Sequence, residues 1–561
     1  MYKRFFVCLL IIMICTGAAA ACLFSARYIR VAQPVTAPAA APARSEVVLV
    51  PLDSRPPCTQ FVEQLGLLAG IGLRLPPAEF LDHYKDPANR AGLRAWLREA
   101  VRGADAAIVS TDMLVHGGLL ASRLGSGTPA DADEVLRLLA EIKAANPQLK
   151  LYVFNIIPRL LIADSSPDYR YQKKMLQYSI LKDEVLTFEN SLDNAKFARL
   201  AAEIPPAVAD RRVALYEANT QFNFRLVSMV ESGVLTGLVI GQDDGWPFGL
   251  PNMVKTRLSH YVGQRPELAG RVFITRGTDE VALSVLGKLV SDDSGYRPRV
   301  FVRYSTPEAP AVVMPFMPHS VAQTVKEKIE LAGGQQVPTA TDADFILFVH
   351  VGTAKTGPVT LTQAARTVKD LLAAGEQVAV VDLTEDFFAK ETIFPYLVQE
   401  GADLTRLAAY AGWNTTSNSI GTAVTQAALF TGALRSRPAD LLPLYRHQLT
   451  FLTARWLDDW YYQKDVQPLV NARLRERRLD AYNLGDRLSQ VDEWIGRLML
   501  ERAEGLYRRV LSGSRLAGGD GRSYVITGLA VESHLPWQRT FEIRLTPTLN
   551  FAVVQDGPEN K

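Results

Sequence analysis

The most suggestive residues are Asp243 and Asp244, which follow an apolar run directly and precede Gly245, Trp246 and Pro247. Two adjacent carboxylates repel, so their ionisation is driven apart: one stays protonated as an acid while the other remains an anion. That pairing suits acid-assisted cleavage of a glycosidic bond. Trp246 offers a ring to exclude water from the pair and to stack on a sugar face. The same residues equally suit a solvated loop with two turn-favouring aspartates.

Similar polar groups follow other apolar runs. Asp53, Ser54 and Arg55 follow the first, Asp112 and His116 the second, Asn155 through Arg159 end the third, and Trp413 and Asn414 end a late one. Asp53, Arg55, Asp112, His116, Asn155, Trp246, Trp413 and Asn414 are the candidate substrate contacts, and Asp243 and Asp244 the candidate catalytic pair. Simpler structural roles compete: Asp53 as a turn with Arg55 its counter-ion, His116 as a hydrogen-bonded core histidine, and Asn414 to Asn418 as a helix cap. Asp279 and Glu280 read as an acidic first turn that favours a helix N-terminus.

Stepping outward to the elements that must hold these groups, short apolar runs rich in Val, Ile and Phe cover 47–52, 106–110, 149–156, 235–241, 272–275, 300–304, 345–351 and 378–383, with a weaker ninth at 407–413. Helical periodicity fills gaps between them at 131–145, 279–289 and 321–331. Near-continuous apolar strands separated by helices predict parallel strands buried on both faces. Eight such units over roughly 340 residues predict an α/β fold of (β/α)8-barrel type. The ninth run keeps an alternative open, a partial barrel followed by a doubly wound α/β domain with a split near 295. In either fold reactive groups gather past the carboxyl ends of the strands, where the residues above lie. Beyond 436 the chain is predicted helical and aromatic-rich, its Trp and Tyr residues core, with short strands at 523–529 and 540–545.

The 61 Lys+Arg residues nearly balance 59 Asp+Glu, so no global field favours nucleic acid as a partner. Of the four cysteines, Cys8, Cys15 and Cys22 precede residue 23, leaving Cys58 in the body and no disulfide framework or cysteine metal cluster there. Lys3 and Arg4 precede a run of apolar residues reaching Phe24, the pattern of an export signal or an uncleaved membrane anchor. Residues 1–31 are therefore predicted to be a signal or anchor, 32–45 a Pro/Ala tether, 46–435 the α/β body and 436–561 a helical C-terminal region with a short β element. The expected location is the cell envelope or beyond, with membrane contact through the N-terminal segment. The strand-linked Gly-x-Gly-x-x-Gly and the Lys-Ser/Thr phosphate loop are missing, so no cofactor is assigned, and no metal ligand set.

The segments Pro51 to Pro56, Thr111 to Arg123, Gln242 to Asp244 and Ala409 to Asn418 resemble the signature blocks of a bacterial domain-of-unknown-function family, number 4127. The resemblance carries no activity, but implies that the blocks belong to one site. The chain is more faintly similar to substrate-assisted hexosaminidase-type glycoside hydrolases, in which an acidic pair follows the fourth barrel strand. That likeness implies that Asp243 orients a substrate acetamido group and Asp244 protonates the leaving oxygen. Trp413 and Asn414 would then hold the sugar, with Asp112 or Asp53 on its hydroxyls. The expected function is an exported glycoside hydrolase acting on a small-molecule or polysaccharide substrate. A metal-dependent hydrolase using Asp53, Asp112, His116 and the Asp243 and Asp244 pair, and a non-catalytic carbohydrate-binding protein, are the alternatives.

Overall fold

A computed structural model describes residues 45–555 except 190, 387–389, 414 and 519–520. The N-terminal segment, the tether and Asn414 lie outside the described residues.

Eleven of the strands form two parallel sheets. The first contains β1 (Ser45–Val50), β2 (Ile71–Arg74), β3 (Ala106–Ser110), β4 (Lys150–Ile157), β5 (Gly237–Gln242) and β6 (Val272–Arg276), in the order β2-β1-β3-β4-β5-β6. The second contains β7 (Arg299–Tyr304), β8 (Gln335–Gln336), β9 (Phe345–Gly352), β10 (Val378–Thr384) and β11 (Ala409–Ala411), in the order β11-β10-β9-β7-β8. A third, antiparallel sheet joins β12 (Arg515–Ala517), β13 (Arg522–His534) and β14 (Arg544–Gln555).

Val47 and Leu49 enter one core cluster while Val48 and Val50 enter another. Alternate residues of β1 thus point to opposite faces, and both faces are buried, which is why the run has no polar alternation. The cluster holding Val47 and Leu49 continues through Phe154 and Val281 to Val302, Phe345 and Ile420, so one apolar core serves both parallel sheets.

The expected barrel is not formed. In each parallel sheet the chain first steps to an edge strand, β2 or β8, then returns past its starting strand to β3 or β9. That reversal leaves open edges and makes each sheet doubly wound with a switch point, between β1 and β3 and between β7 and β9. Both sheets share this order, and the boundary between them falls after the Val281–Ser294 helix.

The C-terminal helices Leu442–Arg455, Gln467–Glu476 and Leu488–Leu506 flank an eleven-residue π-helix, Trp456–Val466. Trp456, Tyr461 and Tyr462 pack into the core with Phe394 and Val380. The last strand runs from Arg544 to Gln555 rather than over 540–545. Its alternating burial shows the period-two pattern of a sheet with one covered face. No helix among the described residues is long and apolar enough to cross a membrane.

Candidate functional site

A cleft of about 540 Å³ opens at the carboxyl ends of the first sheet. Its walls include Asp53 and Arg55 beyond β1, Arg123, Arg159 beyond β4, Gln242 to Asp244 at the end of β5, and Gly277 to Asp279 beyond β6. Trp413 and Asn418, beyond β11, and Trp537, Arg539 and Phe541, between β13 and β14, complete it. The volume suits a small molecule or one or two sugar rings.

Arg55 anchors the cleft floor. Its backbone N–H and its Nε and Nη2 donate to the Asp53 carboxylate at 3.0, 3.0 and 2.6 Å. The same guanidinium donates to Asp279 at 2.7 and 3.3 Å. All three side chains are at most 6% exposed, and among the described residues the fork of Arg55 is the cation paired with both carboxylates. Asn418, in the Thr416–Arg435 helix, donates to Asp279 at 3.4 Å. From the C-terminal sheet, the Trp537 ring lies 5.4 Å from the Arg55 guanidinium, and its Nε1 donates to Ser54 Oγ at 2.9 Å. Asp53, Cys58 and Asp279 bring ligand-type atoms within 4.8 Å of one another. Arg55 already supplies the cation between the two carboxylates.

The Asp243 and Asp244 pair sits at the end of β5. Arg123 donates to both Asp243 oxygens, at 2.7 and 3.0 Å, and the Asp244 N–H adds a bond of 2.9 Å. Burial pushes the Asp243 carboxyl up, but the charge and hydrogen bonds of Arg123, with help from Arg159, outweigh it and hold the group below its usual range. Asp244 is different. Its side chain is 25% exposed, and its ion pair with Arg159 is 3.6 Å long. Burial first, and then the Asp243 charge, push it up to about 6. The two neighbours therefore differ in protonation near pH 5, one an anion and one an acid.

Not every expected contact reaches the cleft. Asp53, Arg55, Asp243, Asp244 and Trp413 line it; Asp112, His116, Asn155 and Trp246 do not. Asp112 is buried and accepts from the Ile156 N–H at 2.8 Å, with burial pushing it up to about 7. His116 Nδ1 accepts from the Gly127 N–H at 2.8 Å, and burial, then the Arg90 charge, push the imidazole down to about 4. Asn155 bonds Thr111 and Asn223 in the interior. Trp246 stands edge-on to Phe316, with ring centroids 5.9 Å apart. With Asp112 and His116 elsewhere and Asp243 held by Arg123, the set expected for a metal-dependent hydrolase is not assembled at one point.

Asp279 and Glu280 are also more than a helix-start pair. Both are buried; Asp279 pairs with Arg55, and Glu280 pairs with Lys328 at 2.5 Å. The turn that carries them is set by Gly277, at φ +94°. A Cβ there would collide with Glu280 Oε1 and lie 2.6 Å from Ser417 Oγ. Gly277→Ala is expected to destabilise the fold by about 1–3 kcal/mol, from the strained backbone and the displaced Glu280, as read by urea unfolding.

Arg123, Arg159, Gln242, Asp279, Asn418 and Trp537 join the site without having been predicted as its contacts. Arg123, Gln242 and Asn418 lie inside the signature blocks that carry the family resemblance, which is the available signal. Trp537 carries none, because its role depends on a contact with Ser54 across the whole chain.

Comparison with known proteins places the chain among relatives rather than among activities. No curated protein matches it. The crystal structure of GanP, a glucose-galactose binding protein from Geobacillus stearothermophilus, is 10% identical, covering 69% of this chain and 91% of that one, with a TM-score of 0.15 that carries no argument. A family described as "Protein of unknown function (DUF4127)" matches residues 47–546, a span that takes in all the cleft walls described above and both parallel sheets but for the first two residues of β1. The chain belongs to the DUF4127 family.

Proposed function

We propose that the protein is an exported hydrolase that cleaves glycosides of an N-acetylated sugar, with Asp244 as proton donor. The observation that carries this reading is the split pair: an anionic Asp243 held by Arg123 beside a cleft-exposed Asp244 raised to about 6. Separation of two carboxyl pKa values is how one site obtains both an acid and an anion.

In the proposed reaction the substrate's acetamido oxygen attacks the anomeric carbon as the glycosidic C–O bond breaks. Asp244 gives its proton to the departing oxygen. Water then opens the cyclic intermediate and returns a proton to Asp244. An internal nucleophile fits this cleft, because Asp53 and Asp279 are both committed to Arg55. A carboxylate offers about four acceptor sites. Arg123 and the Asp244 N–H use three on Asp243, leaving one on Oδ2 for the acetamido N–H. Trp413 and Phe541 supply apolar surface for the ring. Export is supported by the basic start and apolar run before residue 25.

The test is hydrolysis of unactivated N-acetylated disaccharides, followed by reducing-end release. The donor must be protonated, so turnover is expected to fall about tenfold per pH unit above the Asp244 value of about 6. Turnover that rises through that window, or none on any N-acetylated glycoside, would overturn the reading. Sugar binding without turnover would instead favour a non-catalytic carbohydrate-binding role, which the same aromatic wall supports.

A further inference from the structure

The cationic groups of the cleft are not equally occupied. Arg55 has carboxylate partners at 2.6 and 2.7 Å, Arg123 one at 2.7 Å and Arg539 one at 2.6 Å. Arg276 is clasped by Glu327. Arg159 differs in its ion pair, which at 3.6 Å from Asp244 is long, and its buried Nε, like that of Arg276, has no hydrogen-bond partner among the described residues. Burial and the neighbouring Arg123 charge both act against the charged form of this guanidinium. An added anion would offset the repulsion, as the Asp243 and Asp244 charges already do in part.

Gln242 stands beside it with a complementary deficit. It is 2% exposed, yet neither Oε1 nor Nε2 has a partner among the described residues. Ile157 and Gln242 are paired across β4 and β5, and Arg159 lies two residues past Ile157, so the two side chains leave adjacent strand ends. Both line the cleft. Buried polar groups in proteins are ordinarily hydrogen-bonded, so an unpartnered guanidinium Nε beside an unpartnered amide marks the place of a ligand. The guanidinium fork matches a carboxylate or phosphate, and the amide matches a hydroxyl that both donates and accepts.

We propose that the sugar taken by this cleft is acidic, its carboxylate or phosphate seated on Arg159 and an adjacent hydroxyl on Gln242. This deepens the reading above, on which it rests for the sugar but not for the acid.

Free monosaccharides separate the two, because they bind without a glycosidic bond to break. Calorimetric titration of the wild-type protein at pH 7 would compare N-acetylglucosamine, N-acetylmuramic acid, which adds a carboxylate, and N-acetylglucosamine 6-phosphate. At least one acidic sugar is expected to bind tenfold or more tighter than N-acetylglucosamine, and which one does so identifies the anion. Arg159→Gln is expected to bring the three within about twofold. Equal binding of neutral and acidic sugars overturns this proposal while leaving the hydrolase reading intact. So does a preference that survives in Arg159→Gln. A preference for acidic sugars in a protein without turnover supports this proposal and removes the hydrolase reading. The wild-type comparison is decisive by itself if Arg159→Gln fails to fold.

Discussion

Asp244→Asn is expected to lower turnover of an N-acetylated disaccharide by about 10²–10⁴-fold, the usual worth of a positioned proton donor. The asparagine keeps the shape and can still meet Arg159, but has no proton to give. The loss should depend on the leaving group. A sugar alcohol needs protonation as the C–O bond breaks, whereas a nitrophenolate leaves as a stable anion. Chromogenic glycosides should therefore retain a larger share of wild-type turnover in the variant, and the fall in rate above pH 6 should disappear. Asp243 is expected to act differently. Its contribution passes partly through its charge on Asp244, so Asp243→Asn should also move the pH profile, downward on the pH axis. Measuring kcat for both leaving groups across pH 4–9 checks these outcomes. Equal losses with both leaving groups would mean that Asp244 does not donate the proton.

Arg55→Met is expected to destabilise the protein by about 3–5 kcal/mol, the range found when one partner of a buried ion pair is removed. Asp53 and Asp279 would lose their shared cation while remaining 1% and 4% exposed. The Trp537 ring would also lose the guanidinium 5.4 Å away. Replacing all three charges, with Asp53→Asn and Asp279→Asn added to Arg55→Met, should cost much less than the single change, because no uncompensated charge remains. Chemical denaturation of the single and triple variants gives the comparison. Similar losses for both would show that packing around Arg55 matters more than its charge.

The strands were legible to a degree that the fold was not. The apolar runs at 106–110, 300–304 and 345–351 coincide with β3, β7 and β9 to within a residue. β3 and β9 are buried at every position, so their side chains have no solvent pattern to follow, whereas β7 alternates buried with partly exposed residues. In the parallel sheets the strands without a sequence signal are β2 and β8. Three of the four β2 residues are partly or fully exposed, and β8 is only two residues long. Such edge strands carry no apolar run. They are also the strands whose positions reverse the chain in each sheet, so overlooking them makes a string of βα units read as a closed barrel. Asp243 and Asp244 were legible as candidates because their chemistry is local. Asp279 was read only as a helix start, since its partner Arg55 is 224 positions away. Arg123 likewise meets Asp243 across 120 positions. His116 and Asn155 had the right chemistry at strand ends, but a nearby bond from Gly127 holds His116, and bonds with Thr111 and Asn223, 44 and 68 positions away, hold Asn155 in the interior.

The bond from Trp537 to Ser54 spans 483 positions, and Gln60 donates to the Leu545 carbonyl across 485. Loop-closure entropy grows only logarithmically, about 0.6 kcal/mol per doubling of the loop, so these ties burden the equilibrium little. Their cost is in time. During synthesis the first strand and its turn emerge early and then wait for almost the whole remaining chain before the tryptophan that covers them exists. The first sheet can assemble from its own neighbours in sequence, but its cleft is completed by the last sheet, in a late docking event of high contact order. Ribosome-bound chains halted after the second sheet should thus hold folded strands around a binding site with one wall missing.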